Sequence, residues 1–132
     1  MSSLDTNTVL RFVLRDISDQ TEKIAALVDR AKPGSLMVAD AVFFECAWIL
    51  AGKLYKFDRT LIGEFLLQIA DIPQISCNRS LLERVVPLYT KTSNISFIDA
   101  CLAIYAELNN SAPLLTFDKK LAKALPKSVT VL

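Results

Sequence analysis

Four carboxylates, Asp5, Glu45, Asp99 and Asp118, each stand where a short apolar segment ends or where an apolar helix should begin. Acids gathered from such places suit a hard divalent cation, which in turn assists hydrolysis of a phosphodiester. Glu45 is the sharpest of them. It is the only polar residue in Ala41-Val-Phe-Phe-Glu-Cys-Ala-Trp-Ile-Leu50, a run that otherwise reads as buried helix. An ionised carboxylate in such surroundings is costly unless something pairs with it, and a cation shared with the other acids is one such partner.

Acids spread over more than a hundred residues meet only if the fold brings them to one edge, so the elements between them matter. A short first strand ends at Leu4, and Asp5-Thr-Asn-Thr8 follows as a turn or cap. Asp19 and Glu22 have capping-box spacing, and Ile24, Leu27, Val28 and Ala31 keep helical period until Pro33-Gly34. Residues 35–39 read as a buried strand, with Asp40 capping the helix that carries Glu45. Asp58 opens a helix buried through Ile62, Phe65, Leu66 and Ile69; residues 72–77 then form an edge strand, because Pro73 cannot donate to a ladder. Pro87 should kink or shorten a helix over residues 80–90. Ser96 begins a helix, Phe97 to Leu108, closed by Asn109-Asn110. A strand over 113–117, a helix capped by Asp118 and a last strand over 128–132 complete the chain.

Short apolar strands alternating with helices predict an α/β fold: one domain, residues 1–132, with a parallel sheet covered on both faces. In such a sheet, residues just after a strand, and those in the first turns of the following helix, lie on the carboxyl edge. Asp5, Glu45, Asp99 and Asp118 all meet that condition, so they are expected at one rim, where open α/β sheets place ligands. Crowded there, the carboxylates should have raised pKa values without a counter-charge, and Mg²⁺ or Mn²⁺ would relieve the repulsion. Each acid also has a plainer reading. Asp99 has capping-box spacing to Ser96, Asp118 could cap its helix, Asp5 could be a turn residue, and Glu45 a surface glutamate reaching water.

Composition narrows the classes. The chain of 132 residues is 52% hydrophobic with mean hydropathy +0.37, yet no apolar run approaches the roughly 20 residues that span a bilayer. The first residues lack signal-peptide features, so no membrane association and a cytoplasmic location are the expectation. The apolar surplus, with Phe12, Phe43, Trp48, Leu54 and Phe57 in view, points to a homodimer or a tight partner. Net charge is +1, so any nucleic-acid contact must come from local clusters. The absence of histidine excludes histidine-based nucleophilic catalysis, and with three scattered cysteines no zinc site is expected; Cys46, Cys77 and Cys101 read as buried free thiols. A receiver-type phosphoacceptor would need paired acids near the first strand, and only Asp5 is there.

In order, Leu4-Asp-Thr-Asn7, Phe44-Glu-Cys-Ala-Trp-Ile-Leu50, Ser96-Phe-Ile-Asp-Ala100 and Leu115-Thr-Phe-Asp-Lys-Lys-Leu-Ala122 resemble a PIN-domain protein. Among these, the chain is most similar to the VapC-type toxins of toxin–antitoxin pairs. The resemblance implies a three-layer α/β/α sandwich with a central parallel sheet and an endoribonuclease dependent on Mg²⁺ or Mn²⁺. It also implies dimerisation and inhibition by a small antitoxin protein that fills the site. Position by position, Asp5, Glu45, Asp99 and Asp118 correspond to the family's catalytic, metal-binding acids. Asn7 and Thr116 match its supporting polar residues, and Ser96 stands where many relatives carry a further acid. Departures are a short stretch before Asp5 and Pro87 within a helix that is normally continuous. RNA phosphates would be met by Arg11, Lys119 and Lys120, with Arg15 and Lys53 as further candidates. Phe117 or Tyr55 could stack on a base, although core packing accounts for both. The competing reading is a PIN-like module that binds RNA or a protein without hydrolysis.

Overall fold

Seven helices alternate with five short strands in a computed structural model that describes all residues, 1–132. The chain divides into two compact units, Met1–Arg79 and Ser80–Leu132.

The first unit runs β1 (Ser2–Ser3), α1 (Thr6–Leu14), α2 (Ser18–Arg30), β2 (Leu36–Met37), α3 (Asp40–Ala51), α4 (Arg59–Asp71) and β3 (Ile75–Ser76). Its strands pair in parallel in the order β1-β2-β3, with Ser2 opposite Leu36 and Leu36 opposite Ile75. β3 lies at an edge of this ladder, as Pro73 predicts. Each strand is only two residues long, so helices supply most of the core. Phe43, Cys46 and Leu50 of α3 are buried, as are Ile62, Leu66 and Ile69 of α4. Each large apolar side chain so buried stabilises the fold by about 1.5–3 kcal/mol.

The second unit holds α5 (Arg79–Lys91, from Ser80 onward), α6 (Phe97–Leu108), β4 (Leu114–Thr116), α7 (Lys119–Ala124) and β5 (Val129–Val131). β4 and β5 pair in parallel, Leu114 opposite Val129. Leu81, Leu82, Val85, Val86 and Tyr89 form the buried stripe of α5, and Tyr89 meets the Phe97 ring edge-on at 5.3 Å. Glu107 of α6 accepts from Ser128 Oγ at 2.9 Å and pairs with Arg84, tying α6 both to α5 and to the residue before β5.

The α/β class with parallel strands is as the alternation predicts, and the strands hydrogen-bond in two ladders, one in each unit. Several local expectations need correction. α5 continues through Pro87 to Lys91 instead of stopping early. Pro87 faces solvent, so the carbonyl of Glu83, deprived of its usual donor, lies on the wet side of the helix. Asp19 and Glu22 make no capping box, because α2 starts at Ser18 and Ile17 occupies the cap position without a side-chain bond. Asp40 likewise is the first residue of α3 and not its cap; it accepts instead from Asn78 Nδ2 at 3.3 Å. Leu27 is left partly open on α2, whereas Ile24 and Val28 are buried.

Candidate functional site

Asp5 follows buried Leu4 at the end of the β1 segment and caps α1. Its backbone is extended, φ −88° and ψ 176°, which turns the carboxylate over the first helical turn. Oδ1 accepts from Thr8 N at 2.9 Å and from Thr8 Oγ1 at 2.7 Å. The Thr8 hydroxyl first, then the Thr8 amide, hold the Asp5 carboxyl below the ordinary aspartate range. This is opposite to the rise that crowding predicts: hydrogen bonds to the charged form outweigh the desolvation of this acid. Both bonds fall on Oδ1, and Oδ2 has no protein partner.

Glu45 overturns the expectation of a buried charge. It is exposed, on a solvent stripe of α3 with Ala41 and Trp48, four residues before and three after it. α3 is apolar almost all round, yet only its Val42, Phe43, Cys46, Ala47 and Leu50 side is buried. Glu45 Oε1 accepts from Thr6 Oγ1 at 3.0 Å, and Thr6, the residue after Asp5, is itself buried. One hydroxyl therefore ties the Glu45 carboxylate to the first turn of α1. Next to Glu45, burial pushes the Cys46 thiol up to about 12, and the Glu45 charge adds to the rise. That thiol is inert. Cys101 is buried as well, and Cys77 half-buried, in keeping with three free thiols.

In the second unit, Ser96 and Asp99 complete a capping box on α6. Asp99 N donates to Ser96 Oγ at 3.1 Å, and Ser96 N donates to Asp99 Oδ2 at 3.2 Å. Asp118 caps α7, its Oδ1 accepting from Lys120 N at 2.9 Å and Leu121 N at 3.1 Å. Thr116 supports it: Asp118 N donates to Thr116 Oγ1 at 3.0 Å. Phe117, between them, is 81% exposed, which removes core packing as its explanation. Tyr55 is otherwise engaged, 5.7 Å from Phe57, whose ring stacks on Phe65. Lys119 is exposed, while Lys120 lines a cleft of about 560 Å³ with Lys91, Lys123, Ser93 and Asn94. The Lys120–Lys123 spacing, i and i+3, was a signal available in the sequence. Lys91 had none, since only tertiary structure brings it to α7.

The four acids share one property. Asp5 engages Oδ1, Glu45 Oε1, Asp99 Oδ2 and Asp118 Oδ1, and each keeps its second oxygen without a protein partner. Anchored, half-open carboxylates are the donor chemistry that Mg²⁺ and Mn²⁺ take. Within neither unit do three or more Cys, Asp or Glu side chains cluster closely enough to enclose a metal. A Mg²⁺-like ion does not require such a cage, because it retains waters and binds through one or two carboxylates plus substrate phosphate. The residues present fit that kind of ion.

A second group surrounds Asp5. Asn7 is exposed beside it, and both line a cleft of about 370 Å³ between α1 and α2 with Arg11, Gln20 and Lys23. Arg11 Nη1 lies 3.3 Å from Asp16 Oδ1, but its buried Nε has no hydrogen-bond partner. A buried donor left so costs about 1–3 kcal/mol. Nothing in the sequence marks Gln20 and Lys23 as neighbours of Asp5; the packing of α2 on α1 brings them there. No helix of the protein is long and apolar enough to cross a membrane.

No curated protein matches the chain. The family described as PIN domain matches residues 3–125, a span that contains Asp5, Glu45, Asp99 and Asp118 and crosses both units, and the chain belongs to that family.

Proposed function

We propose that this protein is an endoribonuclease dependent on Mg²⁺ or Mn²⁺, with Asp5, Glu45, Asp99 and Asp118 as its metal-binding and catalytic acids. PIN domains are generally metal-dependent nucleases. The observation that carries the reading is the unengaged second oxygen on each anchored carboxylate. A bound divalent cation supplies Lewis-acid assistance to phosphodiester hydrolysis. The chain's own residues then have separate tasks. Thr8 keeps Asp5 ionised, Thr6 fixes the Glu45 carboxylate, Ser96 orients Asp99, and Thr116 holds the backbone at Asp118. Lys119, Lys120 and the lysine-lined cleft attract RNA phosphates, and exposed Phe117 offers a face for an unpaired base.

In this reading the whole chain acts as one cytoplasmic PIN domain, the VapC-type toxin of a toxin–antitoxin pair. It works as a homodimer and is inhibited by a small antitoxin protein. A PIN-like module that binds RNA or a protein without cutting is the second reading. It is favoured by Asp5, Asp99 and Asp118 all serving as ordinary helix-capping groups. Incubation of single-stranded RNA with the protein, with Mn²⁺ or with a chelator, separates the two. Cleavage is expected only with the cation and is expected to vanish in Asp5→Asn and Asp99→Asn. Equal cutting by both variants and the parent would show that the site is wrongly assigned.

A further inference from the structure

The cleft between α1 and α2 has a composition that the acids do not explain. Its walls carry two cations, Arg11 and Lys23, against one acid, Asp5. Arg11 is only loosely committed: one Nη1 contact to Asp16 at 3.3 Å, and an Nε without a partner. A guanidinium has five N–H donors, and its fork suits phosphate. Two side-chain amides, Asn7 and Gln20, stand on the same walls, and Ile24 and Leu27 give an apolar surface between the polar groups.

An inorganic anion would use the cations and leave the amides and the apolar surface idle. An apolar ligand would leave Arg11 and Lys23 unpaired. A nucleotide uses all three: phosphate on the cations, base edge on the amides, base face on the aliphatic side chains. The volume, about 370 Å³, is near the lower end of ligand pockets and admits one unpaired nucleotide but no duplex.

We infer that this cleft binds a single unpaired ribonucleotide of the RNA, adjoining the phosphodiester presented to Asp5, and so gives cleavage a base preference on that side. The inference rests on the nuclease reading for Asp5, but binding at the cleft is measured without any cleavage. Each of the four ribonucleoside 5′-monophosphates is titrated into isotope-labelled parent protein in chelator, and backbone amide shifts are followed by NMR. Saturable shifts at residues 7–11 and 20–27 are expected, with one base favoured over the others. Lys23→Ala, an exposed change that spares the fold, and Arg11→Gln are each expected to weaken binding about tenfold. In cleavage of a mixed-sequence RNA, Gln20→Ala is expected to alter which positions are cut.

Equal shifts and affinity with inorganic phosphate alone would overturn the nucleotide assignment, as would no shift with any nucleotide. Nucleotide binding at the cleft in a protein that cuts no RNA would sustain the nucleotide assignment of the cleft, and remove both the nuclease reading and the base preference in cleavage. Cleavage whose positions and affinity ignore Lys23 and Gln20 would remove this inference and leave the nuclease reading in place.

Discussion

Asp5 commits Oδ1 to the cap of α1 and leaves Oδ2 open for its proposed role in catalysis, and substitutions separate the two. Asparagine caps helices about as well as aspartate, whereas alanine loses the bond to Thr8 N. Asp5→Ala is expected to cost about 1 kcal/mol in urea unfolding, and Asp5→Asn clearly less, while both abolish cleavage. The pH dependence has a definite sign. The folded pKa of Asp5 lies below its unfolded value of about 3.9, so its stabilising contribution is complete above that pH. It is lost as pH falls through the folded pKa. The stability difference between parent and Asp5→Asn should therefore shrink on acidification below about pH 4. A difference that grows with acid would mean that Thr8 does not hold the charged form.

Helix starts were legible wherever a capping side chain stood in register: Asp58, Ser96 with Asp99, and Asp118 all cap as their spacing predicts. Asp19 and Asp40 misled because their helices begin one residue earlier or at the acid itself. α3 shows a deeper limit. With apolar residues on nearly every side, its sequence carries no polar face to say which stripe meets water. The exposed Ala41–Glu45–Trp48 line is set by tertiary packing alone. The acids themselves could be picked out by type and position, but their division into one engaged and one open oxygen needed the folded partners Thr6, Thr8 and Lys120. α5 absorbs Pro87 because that residue faces solvent. Pro87→Ala restores a backbone donor and removes the ring clash, against some entropy regained by the unfolded chain. It is expected to stabilise the protein by about 1 kcal/mol in urea melts. Destabilisation would mean that the proline ring packs productively.

The apolar surplus is divided between core and surface. Phe43 is buried, and Phe12 and Phe57 are half-buried, but Trp48 is 79% exposed and Leu54 83%. Two large apolar groups left to water near the end of α3 support the proposed homodimer. Light scattering at micromolar concentration should give a dimer for the parent and a monomer for Trp48→Glu with Leu54→Glu. A monomeric parent would contradict that proposal without touching the acids. Those acids are best questioned through the ion itself, by calorimetric titration of Mn²⁺ into the parent protein and into Asp5→Asn and Asp99→Asn. Saturable uptake by the parent, lost or sharply weakened in both variants, is the expected result. A parent that takes up no Mn²⁺, or variants that take it up unchanged, would contradict a metal site built on these carboxylates.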